Sequence, residues 1–290
     1  MTITTLKIIA LILMTIDHIG MMLFPDIMWL RYIGRLSAPI FVFCVTEAMR
    51  HTHNQKRYLI KLFGFSLTTT FLFYVAMLIN FCITGEMSEI PTNVTGLLFQ
   101  GALLIYIIEA VRQKNDKWQL QLVLYVVYQL VMKLVYTPIL QHDFGYEVWL
   151  KGPLSSIYSG GGILWIALFL VFYYSKQKTA INYIIYCVLF WFVRVSMIFA
   201  RIGVRLEFYE GKYGLKIISD IYQFIFRGIL GLNTRFPISY GSDCQWLMVF
   251  SVIFIMFYNG QYGKGIKKLF YVYYPLHIIV LYFLKQVFIG

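Results

Sequence analysis

The sequence has very few charged residues for its length. Only 13% of its 290 residues are Asp, Glu, Lys or Arg, whereas 60% are hydrophobic. Soluble proteins carry about 25% charged residues. Such a small number of charges cannot cover the surface of a soluble protein of this size. A large part of the surface must therefore face lipid. The composition excludes a large soluble domain and predicts one domain over residues 1–290, an all-α bundle of transmembrane helices.

Several motifs of enzymes and pumps are also absent. The chain has no GxSxG element, no HExxH element and no Walker sequence, so it lacks the signatures of serine hydrolases, zinc proteases and nucleotide-driven pumps. Its cysteines show no CxxC spacing, and we interpret them as small buried apolar side chains, with neither a metal site nor a disulfide framework. The cysteines are Cys44, Cys82, Cys187 and Cys244.

About nine segments are apolar enough to cross a bilayer, for which a helix needs about 20 residues. They are residues 6–24, 32–49, 58–83, 94–111, 120–140, 154–174, 181–200, 246–258 and 269–288. A further apolar segment, residues 215–232, contains Asp220 and Arg227. Two interpretations of it remain open, an interfacial or re-entrant helix and a tenth span.

The basic residues indicate the orientation of the bundle. Lysine and arginine cluster in alternate loops between the predicted spans, whereas the other loops carry mainly acidic residues. By the positive-inside rule, this pattern predicts a cytoplasmic N-terminus. It also accounts for the net charge of +12 without a nucleic-acid partner. We therefore predict that the chain crosses the lipid bilayer of the cell membrane many times.

Several ionisable residues lie inside predicted spans, and four of them are the main functional candidates. The further charges within predicted spans include Glu47, Glu109, Lys133 and Arg194. Asp17 and His18 interrupt the first span, Arg35 enters the second, and His277 lies in the last, next to Pro275. At 1.5 Å per residue, both histidines fall near the middle of the bilayer. A charge there costs about 2.5–3.5 kcal/mol, so each such residue is a functional candidate. We expect Asp17 to pair with Arg35, as either a structural or a catalytic ion pair.

A neutral imidazole can take a proton from an amine or a hydroxyl group, and a neighbouring carboxylate can orient it. These residues therefore suit acid–base catalysis inside the membrane or proton-coupled transport. A third possibility is a scaffold protein in which Asp17 and His18 are sealed from any cavity. The residues alone do not choose among the three.

Four segments carry a resemblance to a known family. They are residues 6–20 (LKIIALILMTIDHIG), 31–43 (RYIGRLSAPIFVF), 58–65 and 258–281, which contains YNG and YPLH. With these elements in this order, the chain resembles the TraX family, the conjugal-transfer and fimbrial-assembly acetylases, which is similar to wider transmembrane acyltransferases.

The resemblance implies a multi-pass protein of the bacterial cytoplasmic membrane that acetylates an acceptor at the outer face, with acetyl-CoA as co-substrate. The family precedent for the acceptor is the N-terminus of a pilin subunit, and another secreted peptide or an envelope glycan is the alternative. His18 would be the catalytic base. The resemblance also makes Lys7 a contact to the phosphates of acetyl-CoA. Together with the position of the charged residues in the chain, it leads us to predict two sets of site residues. The predicted catalytic residues are His18, Asp17, His277 and Arg35, and the predicted acetyl-CoA-binding residues are Lys7, Arg57, Lys267 and Lys268.

Overall fold

The structure is a computed structural model. It describes residues 1–86, 88–90, 93–132, 152–153, 163–175, 179–195, 202, 204–209, 214–229, 244–265 and 267–288. All regular secondary structure in these ranges is helical, which confirms the predicted all-α class. The end of the predicted fifth span, which contains Lys133, lies outside the described residues.

Eleven α-helices with defined bounds are described. They are α1 Ile3–Met22, α2 Met28–Gly34, α3 Ser37–His51, α4 Gln55–Thr84, α5 Thr95–Arg112, α6 Trp118–Val131, α7 Ile163–Ser175, α8 Thr179–Val195, α9 Lys216–Gln223, α10 Val252–Met256 and α11 Lys267–Phe288. A π-helical segment, Phe224–Ile229, continues α9, and a 3₁₀ helix, Cys244–Ser251, precedes α10.

Four helical units are long and apolar enough to cross a membrane in the part of the chain that the structure describes. They are α1, α2 and α3 together, α4 and α5, which confirms the first four predicted spans. Helices α6, α7 and α8 and the segment at 244–256 are shorter apolar elements. The full number of spans and the cytoplasmic N-terminus remain predictions.

The structure describes residues 216–229 of the further apolar segment as helical. Several apolar side chains of this helix are exposed, with Ile217 73% and Phe224 57% accessible. Both a helix at the membrane interface and a helix that spans the bilayer expose apolar side chains to lipid, so the two interpretations of this segment remain predictions.

The loop at residues 257–264 fixes the start of α1 beside the start of α11. The first backbone N–H groups of a helix have no partner within the helix. Here the Ile3 and Thr4 N–H groups donate to the carbonyls of Gln261 and Tyr262, at 2.9 and 3.1 Å. The Thr4 hydroxyl also donates to the Tyr262 carbonyl, at 2.8 Å. This capping holds together the two helices that carry the histidines.

Helix α1 is central to the described bundle. It packs against α2, α3 and α11, and α11 in turn packs against α4. Side chains on its buried face, including Leu6, Ala10 and Met14, are 4% exposed or less. These residues recur every three or four positions, as expected for one face of a helix. His18 continues this face and is therefore buried among helices and not in lipid.

Candidate active site

The two intramembrane histidines meet in the structure. Nδ1 of His18 lies 2.9 Å from Nε2 of His277, and their ring planes are 15° apart. The two residues are only 5% and 8% exposed. The sequence predicted equal depth for them, and the packing of α1 against α11 brings them into direct hydrogen-bond contact.

His277 has a second hydrogen bond, to the backbone. Its Nδ1 lies 2.8 Å from the carbonyl oxygen of Tyr273, one turn earlier in α11. The Tyr273 ring lies almost parallel to that of His277, with the centroids 5.0 Å apart. Its hydroxyl lies 2.8 Å from Oγ1 of Thr15 on α1. These contacts hold His277 between α1 and its own helix.

Asp17 forms a salt bridge with Arg31, and the expected direct salt bridge with Arg35 is not formed, although Arg35 lies close enough to interact electrostatically with the Asp17 carboxylate. The Arg31 Nη1 lies 3.0 Å from Oδ2 of Asp17 and 3.1 Å from its carbonyl oxygen. Helix α2 begins at Met28, and Arg31 lies in it one turn before Arg35. Arg35 instead directs its Nε to Sγ of Cys244, at 3.3 Å.

Helices α1 and α2 approach closely because each has a glycine, without a side chain, at their contact. A Cβ atom at Gly34 would lie 2.1 Å from Cβ of Asp17 and 2.5 Å from its Oδ1. A Cβ atom at Gly20 would lie 2.6 Å from Cβ of Leu30. Gly20 thus leaves room for α2 to approach α1. Gly34 has the same role, which the sequence reasoning did not identify.

A cleft of about 120 Å³ opens between α1, α3, α4, α5 and α11. Lys7 and Leu11 line it on α1, the helix that carries His18. Lys7 and His18 are eleven residues apart, which returns to the same side of a helix about 16 Å further along its axis. Tyr274 also lines the cleft and contacts the His277 ring, with centroids 5.8 Å apart. The polar lining residues are Lys7, Cys44, Tyr58, Thr95, Tyr271 and Tyr274.

The predicted coenzyme-binding residues lie near one end of this cleft. Nζ of Lys7 lies 5.6 Å from the centroid of the Phe270 ring. Arg57 is exposed in the first turn of α4, next to Tyr58 of the lining. Lys267 and Lys268 begin α11, one turn before the lining residues of that helix. The structure brings the four backbone positions to one end of the bundle, and the side chains of Lys267 and Lys268 are outside its description.

A buried carboxylate fixes the same end of the bundle. Glu47 is 3% exposed and pairs with Arg50 and with His51, whose Nε2 lies 3.3 Å away. Arg50 also donates to the carbonyls of Phe172 and Tyr173 in the last turn of α7, both at 2.7 Å. These hydrogen bonds satisfy carbonyls that the end of a helix leaves free. The cluster thus joins α3 to α7.

The described residues offer no group of three or more His, Cys, Asp and Glu side chains that could hold a metal ion. The four cysteines are free thiols. Cys44, Cys187 and Cys244 are buried, as the sequence predicted, whereas Cys82 is exposed.

The TraX protein family model matches residues 2–159, which is more than half of the chain. The chain belongs to the TraX family. The matched region contains Lys7, Asp17, His18, Arg31 and Arg35, and it ends well before α11. The TraX match therefore includes one histidine of the buried pair and excludes the other.

Two curated proteins share shorter segments with this TraX-family chain. A probable fimbrial assembly protein FimC, serogroup H1, of Dichelobacter nodosus is 36% identical over 66 residues, which are 21% of the chain and 27% of that protein. An uncharacterized protein of Rickettsia prowazekii (strain Madrid E) is 53% identical over 38 residues, 13% of the chain and 15% of that protein. The chain thus spans about a quarter or less of the length of these relatives. No solved structure matches it.

Sequence reasoning missed three residues at the site. Arg31 was within reach, because it belongs to the same motif as Arg35 and lies one helical turn before it. The sequence signal for Gly34 was weaker: it is a glycine between Arg31 and Arg35, in the span that follows the one with Asp17. The Tyr273 carbonyl has none, since every residue carries a backbone carbonyl and only the fold shows which one a side chain meets.

Proposed function

We propose that this TraX-family protein is a membrane-embedded acetyltransferase. It moves an acetyl group from cytosolic acetyl-CoA to an acceptor at the outer face, with His18 as the general base. The observation that carries the proposal is the buried His18–His277 contact of 2.9 Å. His18 lies on the same side of α1 as Lys7, which lines the cleft. A histidine held in a hydrogen-bonded pair near a cavity is suited to proton transfer.

The cleft supports acetyl-CoA as the donor. Most of its lining is apolar or aromatic, which suits the thin pantetheine arm of a coenzyme. Lys7 lies in the lining, and Arg57, Lys267 and Lys268 occupy the same end of the bundle. These cations would hold the coenzyme phosphates in the cytosol, because phosphates bind lysine and arginine through charge-assisted hydrogen bonds. The arm would then extend along α1 towards His18.

The proposed reaction needs a single proton acceptor, the His18 imidazole. The His18 imidazole removes a proton from the acceptor amine or hydroxyl as its nitrogen or oxygen attacks the thioester carbonyl. The C–S bond then breaks, and the coenzyme thiolate takes the proton back from His18. The products are the acetylated acceptor and coenzyme A, and His18 returns to its neutral form. General acid–base catalysis of this kind contributes about 10²- to 10⁴-fold to a rate.

The acceptor is best sought among secreted peptides. A curated relative is described as a probable fimbrial assembly protein, and the family precedent is the N-terminal amine of a pilin. For this chain we propose a peptide amine at the outer face, and a hydroxyl of an envelope glycan is the alternative. The Asp17–Arg31 salt bridge would hold α1 against α2 so that His18 keeps its position.

The test is transfer of labelled acetyl from acetyl-CoA in membranes that contain the protein. We expect labelled product with the wild type and at least a 100-fold lower rate with His18→Gln. The matched control is His53→Gln, since His53 is exposed in the loop before α4 and should retain full activity. Equal labelling by wild type and His18→Gln, at equal protein levels, would refute the assignment of His18.

A further inference from the structure

The hydrogen bonds around His277 determine where the protons of the histidine pair lie. We infer that His277 is a positioning residue that holds His18 in the tautomer with its proton on Nδ1 and a free lone pair on Nε2. The inference rests on the proposed function, in which His18 is the base, and it identifies Nε2 as the nitrogen that takes the proton from the acceptor.

The first step is the tautomer of His277. Its Nδ1 lies 2.8 Å from the Tyr273 carbonyl oxygen. A carbonyl oxygen only accepts hydrogen bonds, so Nδ1 of His277 must carry a proton and donate it. A neutral imidazole has one protonated and one unprotonated nitrogen. Nε2 of neutral His277 is therefore an acceptor.

The second step is the tautomer of His18. Its Nδ1 lies 2.9 Å from Nε2 of His277. Because that Nε2 has no proton, Nδ1 of His18 must donate, and Nε2 of neutral His18 is left with the lone pair. Among the described residues, Nε2 of His18 has no hydrogen-bond partner. The order from donor to acceptor is thus His18, His277 and the Tyr273 carbonyl.

This order gives His277 the part that a carboxylate has in a catalytic triad, which is to fix the tautomer and the direction of the base. Asp17 is the nearest carboxylate in sequence, but its Oδ2 is bonded to Arg31 and successive residues point about 100° apart around a helix. When His18 takes a proton on Nε2, its Nδ1–H still donates to His277. That bond then carries a charged donor, which makes it stronger.

The tautomers can be observed without any transfer activity. In ¹⁵N spectra of the full-length protein with labelled histidine, we expect two histidines with a protonated Nδ1 and an unprotonated Nε2, assigned through His18→Gln and His277→Gln. The coupling across the Nδ1–H···Nε2 contact should disappear in both variants. A protonated Nε2 on neutral His18 or His277 would overturn the inference, and would leave the proposed function standing.

Kinetics separate positioning from packing. His277→Gln keeps a side-chain oxygen that can accept from His18, whereas His277→Leu has a similar volume and no acceptor. We expect His277→Leu to lower kcat about 100-fold with an unchanged KM for acetyl-CoA, and His277→Gln to recover at least tenfold of that loss. Equal kcat values for the two variants, at matched yield and melting temperature, would overturn the positioning role. A fall that appears only as a higher KM would do the same.

Discussion

Replacement of Gly34 by alanine is a sharp test of the contact that holds α1 to α2. The added Cβ would lie 2.1 Å from Cβ of Asp17 and 2.5 Å from its Oδ1. Oδ1 can move when the Asp17 side chain rotates, but Cβ of Asp17 is fixed to the α1 backbone and cannot yield in this way. The two helices must therefore separate, and the 3.0 Å salt bridge between Asp17 and Arg31 must lengthen.

The magnitude is a difference between two effects. Overpacking of a well-packed contact costs about 1–3 kcal/mol. Glycine in a helix is less favourable than alanine by roughly 0.5–1 kcal/mol, so the substitution also contributes stability. The Cβ added at Gly34 would be closer to Asp17 than real Cβ atoms essentially ever come to a neighbour. We therefore place the cost of overpacking at the upper end of this range. We expect the Gly34→Ala protein to be less stable by about 2 kcal/mol.

The measurement is unfolding of the purified protein in detergent, and Gly64→Ala is its matched control. Gly64 is also helical, and its added Cβ would have no atom within 4 Å. That variant should be as stable as the wild type or more stable by roughly 0.5–1 kcal/mol. If Gly34→Ala were as stable as Gly64→Ala, α1 and α2 would not meet at Asp17 and Gly34 as described.

The salt bridge and the cleft give two further predictions. Arg31→Leu leaves the Asp17 carboxylate without its partner and should cost about 3 kcal/mol of unfolding free energy, with most of the loss recovered in the double variant with Asp17→Asn. A larger loss with Arg35→Leu would contradict the pairing. Lys7→Gln should raise the KM for acetyl-CoA about tenfold with little change in kcat, since one charge-assisted contact is worth roughly 1.5–3 kcal/mol. Steady-state rates test this against Lys61→Gln, an exposed lysine that does not line the cleft, and an equal rise in both would refute the role of Lys7.

Hydrophobic length predicted the first four spans well, because a membrane helix needs a long apolar run and little else. The importance of Asp17, His18 and His277 also followed from the sequence, since ionisable residues are costly inside a bilayer. Their depth along the helices required only the rise per residue. What the sequence could predict was therefore the position of each residue along its own helix.

The partners of those residues depend on rotation and packing, which hydropathy does not determine. The second span begins at Met28, four residues earlier than predicted, and the salt bridge of Asp17 is with Arg31 and not with Arg35. The bond from His277 to the Tyr273 carbonyl and the cleft between five helices arise only in the folded chain.

Transfer across a sealed membrane tests the central claim most directly. The purified protein would be placed in vesicles with labelled acetyl-CoA outside and a peptide with a free N-terminal amine sealed inside. We predict labelled peptide inside vesicles with the wild type, and at least a 100-fold lower rate with His18→Gln at equal protein content. Equal labelling with the two proteins, or labelling only of peptide added on the same side as acetyl-CoA, would contradict acetyl transfer through the membrane by His18.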